Sequence, residues 1–158
     1  MSVQFAGSPD SGPRRADGSL TTVGCDLDRV SNSHVRGLVR GLLAGRTGLV
    51  VEDATLVADE LVSNAHCHGA APRHCRLTLL ERGGLLRIEV DDASPVAPRM
   101  RTPEDSGGRG LLLVDRLASR WGLERRVDRK TVWAELALDG PGSSGHVPHM
   151  TAVPDRSS

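Results

Sequence analysis

The chain has 158 residues, with 20 basic and 20 acidic side chains, so no overall positive field favours nucleic acid or an anionic membrane. Its aromatic residues are too few to form stacking platforms for single-stranded nucleic acid (Phe5, Trp121 and Trp133). The chain has three cysteines, an odd number, and no signal-peptide pattern, which predicts a cytoplasmic protein. It contains no run of about 18 apolar residues, so no transmembrane helix is predicted.

Both ends of the chain are rich in Gly, Pro, Ser and charge. Residues 1–19 and 140–158 are therefore predicted to be a disordered N-terminal arm and a disordered C-terminal tail. The richer middle, residues 20–139, is predicted to be one compact domain, beginning with an edge strand at 20–27.

Helical spacing of apolar residues appears from Asp28 onward. Asp28 and Ser31 are both candidate N-caps of a first helix, which the glycines of 45–48 end. A second helix is predicted at 51–66, with Gly69 as its terminator.

Two strands joined by Gly83-Gly84 are predicted at 75–82 and 85–92. In the second strand, alternation places Asp92 on the apolar face and Asp91 on the polar face. A buried acid requires a partner, whereas an exposed one does not. Asp92 is therefore the better candidate for a functional group.

The rest of the domain begins with a long aperiodic loop, 94–108, of the kind that often forms a lid. A helix at 110–120 and strands at 121–127 and 131–138 follow. Paired strands between helices predict an α+β fold. We expect a two-layer α/β sandwich, with a mixed, mainly antiparallel sheet covered on one face by about three helices.

Glu60 and Asn64 lie four residues apart in the second predicted helix and so share one of its faces. A carboxylate can take a proton from a nucleophile, and a carboxamide oxygen can hold Mg²⁺. The alternative is a solvated pair on the polar side of the helix. Asn is a poor residue for a helix interior, which favours a functional reason.

A glycine turn at 106–111, S-G-G-R-G-L, leads directly into the third predicted helix. Helix N-termini present free N–H groups to anions, so this turn is a candidate phosphate site. Arg109 is a second candidate phosphate ligand, or it faces solvent, and a flexible loop is the simpler interpretation of the glycines. Together with Glu60 and Asn64, the turn indicates nucleotide chemistry.

Three ordered blocks resemble the GHKL ATPases: E-L-V-S-N-A-x-x-H-G at 60–69, V-D-D-A-S at 90–94 and S-G-G-R-G-L at 106–111. The resemblance extends from about Leu27 to Leu138, and it is strongest to the bacterial anti-sigma-factor serine kinases. It implies a histidine-kinase-like ATP-binding domain at 20–139, with the ATP pocket between helices and sheet.

The resemblance also implies residue roles. Glu60 would be the general base, Asn64 would bind the Mg²⁺ that bridges the triphosphate, and Asp92 would accept a hydrogen bond from the adenine amino group. The remaining nucleotide contacts would come from the glycine turn and the last strand: Gly108, Arg109, Gly110, Leu111 and Thr131. In the last strand, Thr131 is in phase with Trp133 rather than with Val132 and Ala134, which weakens its assignment to the nucleotide.

The resemblance predicts an ATP-dependent serine/threonine kinase that uses Mg²⁺, binds a sigma factor and phosphorylates a small antagonist protein; relatives commonly form homodimers. An alternative is a nucleotide-binding regulatory module without kinase turnover. It is favoured by Asp92-Ala-Ser-Pro95, where the family often has D-x-G-x-G, and opposed by the intact Glu60. A third interpretation is a protein-interaction domain that does not bind ATP. The His and Cys residues of 66–75 lack the paired spacing of a zinc site.

Overall fold

A computed structural model describes residues 14–16, 20–80, 84–94 and 110–138 of the chain. In these residues the elements follow the order β1 (Arg14–Ala16), β2 (Leu20–Asp26), α1 (Asn32–Leu42), α2 (Leu49–His68), β3 (His74–Leu80), β4 (Leu85–Asp92), α3 (Gly110–Leu117), β5 (Arg120–Arg125) and β6 (Lys130–Ala137). No helix within the described ranges is long and apolar enough to cross a lipid bilayer.

The strands form one sheet in the order β1-β2-β3-β4-β6-β5. Every neighbouring pair in this order is antiparallel, so the described sheet is antiparallel rather than mixed. The helix α2 packs against α1, α3 and the central strands β4 and β6. The predicted α+β sandwich is therefore confirmed, with helices in one layer and the sheet in the other.

The core lies between the two layers. Along β4, Leu86, Ile88 and Val90 are almost completely buried, whereas Arg87 and Glu89 alternate with them and are partly exposed. Burial of each large apolar side chain contributes roughly 1.5–3 kcal/mol, so this strand anchors the sheet beneath the helices. Its bounds, Leu85–Asp92, are those predicted from the alternating pattern.

The first helix is capped by Ser31, one of the two predicted candidates. The Ser31 hydroxyl accepts a hydrogen bond from the backbone N–H of His34 at 3.3 Å. The other candidate, Asp28, pairs instead with Arg73 across the domain.

The other helix ends differ from the prediction by a few residues. The helix α2 begins after Gly48, whose φ of 81° suits a residue without a side chain, and it continues to the predicted terminator Gly69. The helix α3 ends at Leu117 rather than near residue 120, because Arg120 pairs with Glu135 as the first residue of β5. A long-range strand pairing thus shortens a helix that local spacing would extend.

Residues 14–16 lie in the arm that the sequence predicts to be disordered, yet they form β1 along the edge of β2. An edge strand presents unpaired backbone groups that favour this kind of pairing. The rest of the predicted arm and the predicted tail 140–158 lie outside the described residues.

Candidate functional site

The C-terminal end of α2 meets the end of β4 at Gly69 and Asp92. Asp92 is 2% exposed and continues the helix-facing positions of β4, which confirms the phase predicted for it. A Cβ atom on Gly69 would lie 2.4 Å from the Ala65 carbonyl oxygen and 2.6 Å from the Asp92 Cγ atom. A residue without a side chain is therefore needed at position 69, and the first and second sequence blocks are in direct contact.

Backbone donors hold the Asp92 carboxylate in place. Its Oδ1 atom accepts hydrogen bonds from the backbone N–H groups of Ser94, at 2.7 Å, and Ala70, at 3.4 Å. Its Oδ2 atom lies 3.6 Å from the Lys130 ammonium, and both side chains are almost fully buried. A carboxylate has about four acceptor positions, so Asp92 retains capacity for a further donor.

Arg73 holds the end of α2 against the sheet. Its Nε donates to the Ala65 carbonyl at 2.9 Å, and one of its terminal nitrogens donates to the Gly69 carbonyl at 3.1 Å. The other terminal nitrogen donates to Asp28 at 2.7 Å, and the Arg73 backbone N–H donates to the second Asp28 oxygen at 2.9 Å. A cation at a helix C-terminus is stabilised by the exposed carbonyl groups. The position of Gly69, and with it that of Asp92, therefore depends on Arg73.

The neighbours of Glu60 and Asn64 define the flank of α2 on which this pair lies. Asp59 and Ser63 face α1, where they accept hydrogen bonds from Arg36 and Asn32. Glu60 and Asn64 each follow one of these residues, so they lie about 100° further around the helix. The predicted pair therefore points away from α1.

Both side chains of the pair are partly buried. Within the described ranges, neither Glu60 nor Asn64 has a hydrogen-bond or ion-pair partner. Burial, and to a smaller extent the neighbouring Asp59 carboxylate, raises the pKa of Glu60 above the ordinary value of a glutamate. A carboxylate with a raised pKa is a stronger base, which suits proton abstraction near neutral pH.

Glu60 and Asn64 lie on the same helix as Gly69, which contacts Asp92. At 1.5 Å per residue, Glu60 lies roughly 14 Å along the helix from Gly69. A ligand that contacts both Asp92 and Glu60 would have to span about this distance.

Thr131 is separated from these residues by the sheet itself. Its cross-strand partner is Asp91, to which its hydroxyl donates a hydrogen bond, and Asp91 points to the face opposite Asp92. The residue beside Asp92 on the helix-facing side is Lys130. Thr131 therefore lies on the face opposite Asp92, a position that does not support its predicted contact with the nucleotide.

The glycine turn is only partly described. Gly108 and Arg109 lie outside the described residues, as does most of the predicted lid loop. Gly110 is the first residue of α3, and Leu111, 5% exposed, packs in the core. The predicted start of this helix is confirmed, whereas the proposed phosphate contacts stay a prediction.

Three important residues of the site were not assigned to it from the sequence: Gly69, Arg73 and Lys130. Gly69 was interpreted only as a helix terminator, although its place in the N-A-x-x-H-G block was a signal for a close contact. Lys130 is the only lysine in the chain and continues the apolar phase of the last strand, which is an unusual place for a charge. Arg73 carried no local signal, because its partners lie in the turn after β2 and at the end of α2.

Groups of three or more His, Cys, Asp or Glu side chains that could hold a metal ion do not occur in the described part of the chain. This concerns sites built from these residue types. It leaves the predicted Asn64–Mg²⁺ contact untested, because that contact needs one carboxamide and the phosphates of a ligand.

Helices cover one face of an antiparallel sheet, and a buried aspartate at a strand end lies beside a helix terminus, so the chain is an α+β domain with its candidate site at this junction. The family model of the histidine kinase-like ATPase domain matches residues 26–136, and the chain belongs to this family. The chain is therefore a histidine kinase-like ATPase domain of the GHKL type, the family that the three sequence blocks predicted. It is also 41% identical over 86 residues to an uncharacterized protein of Streptomyces coelicolor, covering 52% of this chain and 81% of that protein.

Proposed function

We propose that the protein is a regulatory serine/threonine kinase of the anti-sigma-factor type, which transfers the γ-phosphoryl group of ATP to a small antagonist protein. The observation that carries this proposal is the junction of Gly69 with Asp92. It connects the helix bearing Glu60 and Asn64 to a buried carboxylate fixed by backbone N–H groups. The sigma factor, the antagonist and a homodimer are proposed as partners from the family resemblance.

The buried Asp92 supports adenine recognition. An acid held at a fixed position in a site of low polarity favours a base with an amino donor and rejects bases without one. The backbone bonds from Ser94 and Ala70 prevent the carboxylate from turning away. This arrangement fits the purine end of a nucleotide.

Asn64 and Glu60 would act at the phosphate end. The Asn64 carboxamide would hold Mg²⁺, which supplies charge neutralisation for the transferred phosphoryl group. Glu60 would accept the proton of the serine or threonine hydroxyl of the antagonist, and its raised pKa supports this role. Phosphoryl transfer depends mainly on positioning, so the chain needs no nucleophile of its own.

A regulatory module without turnover is the second candidate, and the Lys130–Asp92 ion pair favours it. The ammonium lies 3.6 Å from the oxygen that would otherwise be most open to adenine. If this pair persists in the bound state, nucleotide affinity will be low and ATP will act as a signal rather than as a substrate.

Nucleotide binding is tested first, by thermal shift with Mg·ATP. We expect wild type to be stabilised, Asp92→Ala to lose the preference for adenine over guanine nucleotides, and Asn64→Ala to lose the part of the stabilisation that depends on Mg²⁺. Glu52→Ala, an exposed acid at the start of the same helix, is the matched control and should behave as wild type. Normal stabilisation of both site variants would contradict the residue assignments.

Turnover is tested with radiolabelled ATP and a panel of candidate antagonist proteins. Incorporation of label that disappears in Glu60→Ala but persists in Glu52→Ala supports the kinase. Binding of ATP without transfer to any antagonist supports the regulatory module. A chain that shows no thermal shift at millimolar Mg·ATP would favour the interaction-only alternative.

A further inference from the structure

We propose that a cavity on the face of the sheet opposite the helices binds a small solute with an anionic group, through Arg129. The cavity, called here the outer-face cavity, has a volume of about 190 Å³ and is lined by Pro72, His74, Arg76, Asp91, Ala93 and residues 128–129. This binding is separate from the proposed nucleotide site and does not depend on it.

The register of the sheet places this cavity behind the nucleotide site. His74 pairs with Asp91 across β3 and β4, and both positions point away from the helices. Asp92, one residue further, points into the interlayer site. The two sites therefore lie on opposite faces of the sheet at the same end of β4.

Arg129 is the side chain that calls for a ligand. In the part of the chain that the structure describes, its guanidinium has no ion pair or hydrogen bond, and its Nε atom is buried without an acceptor. Arginine stays charged at any physiological pH, and a buried donor without an acceptor is unfavourable. By contrast, Arg76 on the cavity wall is already paired with Glu89 at 3.3 Å. The Nε atom is not accessible from the cavity, so a carboxylate oxygen of a ligand would pair with the terminal guanidinium nitrogens of Arg129.

The acidic lining narrows the choice of ligand. Asp91 and Asp128 line the same cavity and would repel a multiply charged anion. In a solute with one anionic group and a hydroxyl or ammonium donor, the anionic group would pair with Arg129 and the donor with Asp91 or Asp128. The Asp91 carboxylate already accepts one hydrogen bond, from Thr131, and retains further acceptor positions.

The volume limits the ligand to a small molecule. A cavity needs about 10–15 Å³ of such volume to hold one water molecule, so the outer-face cavity has room for a small solute. Sites for drug-sized ligands usually have volumes of about 300–1,000 Å³. The outer-face cavity is thus too small for a second nucleotide, and it fits a hydroxy acid or an amino acid.

The test is an NMR titration of the full, ¹⁵N-labelled chain without nucleotide, using lactate, glycine and inorganic phosphate as separate probes. We expect saturable shifts at the backbone amides of His74, Asp91 and Ala93 with at least one probe. Lactate and glycine distinguish a hydroxy acid from an amino acid, and phosphate, which is largely doubly charged at neutral pH, should bind more weakly than either.

Arg129→Gln should weaken this binding about tenfold or more, the usual effect of removing a charged hydrogen-bond donor. The matched control is Arg126→Gln, an exposed arginine on the same turn that does not line the cavity. It should bind as wild type. Ala93→Leu, which fills the cavity without changing its charge, should also abolish the shifts.

The proposal is overturned if no probe gives saturable shifts at millimolar concentration. It is also overturned if Arg129→Gln binds as wild type, or if Arg126→Gln loses affinity equally. Because nucleotide is absent from these titrations, failure of the kinase proposal would not affect their outcome.

Discussion

Gly69 lies so close to Asp92 that any side chain at position 69 would clash with the Asp92 carboxylate. A Cβ at position 69 would lie 2.6 Å from the Asp92 Cγ atom and 2.8 Å from its Oδ2 atom. Heavy atoms do not approach this closely without a shift of the backbone. The contact therefore couples the end of α2 to the acid that we assign to adenine.

Gly69→Ala should reduce both stability and nucleotide binding. Overpacking a tight contact costs about 1–3 kcal/mol, and relief of the clash would displace Asp92. The free energy of unfolding, from urea denaturation, and the Mg·ATP thermal shift are the two measurements. Gly37→Ala is the matched control, since a Cβ at that exposed helical position meets nothing within 4 Å. It should raise stability by about 0.5–1 kcal/mol, and an equal loss in both variants would contradict the explanation.

The Asp92–Lys130 pair should show strong energetic coupling. Both side chains are at most 5% exposed, so removing the Asp92 charge takes a buried counter-charge away from the Lys130 ammonium. Asp92→Asn should cost about 3 kcal/mol of unfolding free energy, and Asp92→Asn with Lys130→Met should recover part of this loss. A double-mutant cycle in urea measures the coupling. A value near zero would mean that the pair is not a stabilising unit.

Lys130→Met alone is a test of the competition between the lysine and a nucleotide. Asp92 keeps its two backbone donors in this variant, so the carboxylate remains fixed. If the ammonium competes with the adenine amino group, ATP affinity measured by calorimetry should rise. A fall in affinity would instead assign Lys130 a favourable contact with the nucleotide.

The sequence predicted β4 and the direction of Asp92 well, because alternation is uninterrupted along this strand and every second residue is apolar. Along β6, alternation groups Thr131 with Trp133, on the face opposite Asp92, so the assignment of Thr131 to the pocket came from the family resemblance alone. The inward residue before it is Lys130, a charge that an apolar pattern does not identify.

The contacts that build the site were harder to predict than the elements. Arg73 binds Asp28, in the turn after β2, and the carbonyl groups of Ala65 and Gly69 at the end of α2. Only the folded chain brings them together. The sequence indicated the chemistry of Glu60 and Asn64 through their four-residue spacing, but not the structural clamp that holds the end of their helix.

Arg73→Ala should therefore destabilise the domain far more than a typical surface arginine. It removes three side-chain hydrogen bonds, one of them to a carboxylate, which together are worth about 2–4 kcal/mol. Arg73→Lys should restore little, because an ammonium cannot reach three acceptors in a planar arrangement. The control is Arg29→Ala, whose side chain is 80% exposed in its pair with Asp26 and should cost well under 1 kcal/mol. Equal effects in urea denaturation would contradict the clamp.

Glu60→Gln should make the protein more stable at neutral pH while it abolishes phosphoryl transfer. Folding raises the pKa of Glu60 through burial and the Asp59 carboxylate, so the folded state favours the protonated acid. The protonated Glu60 therefore contributes fully to the free energy of unfolding below the ordinary pKa of a glutamate. This contribution is lost as the pH rises through the raised pKa of the folded state. The neutral amide avoids this loss. The melting temperature of Glu60→Gln should exceed that of wild type at pH 7, and the difference should shrink as the pH falls toward 4.

Asp59→Asn is the contrasting variant, because it breaks the ion pair with Arg36 at 3.0 Å and should not be stabilising. A lower melting temperature of Glu60→Gln at pH 7 would mean that the carboxylate stabilises the fold and is not held in an unfavourable charged state.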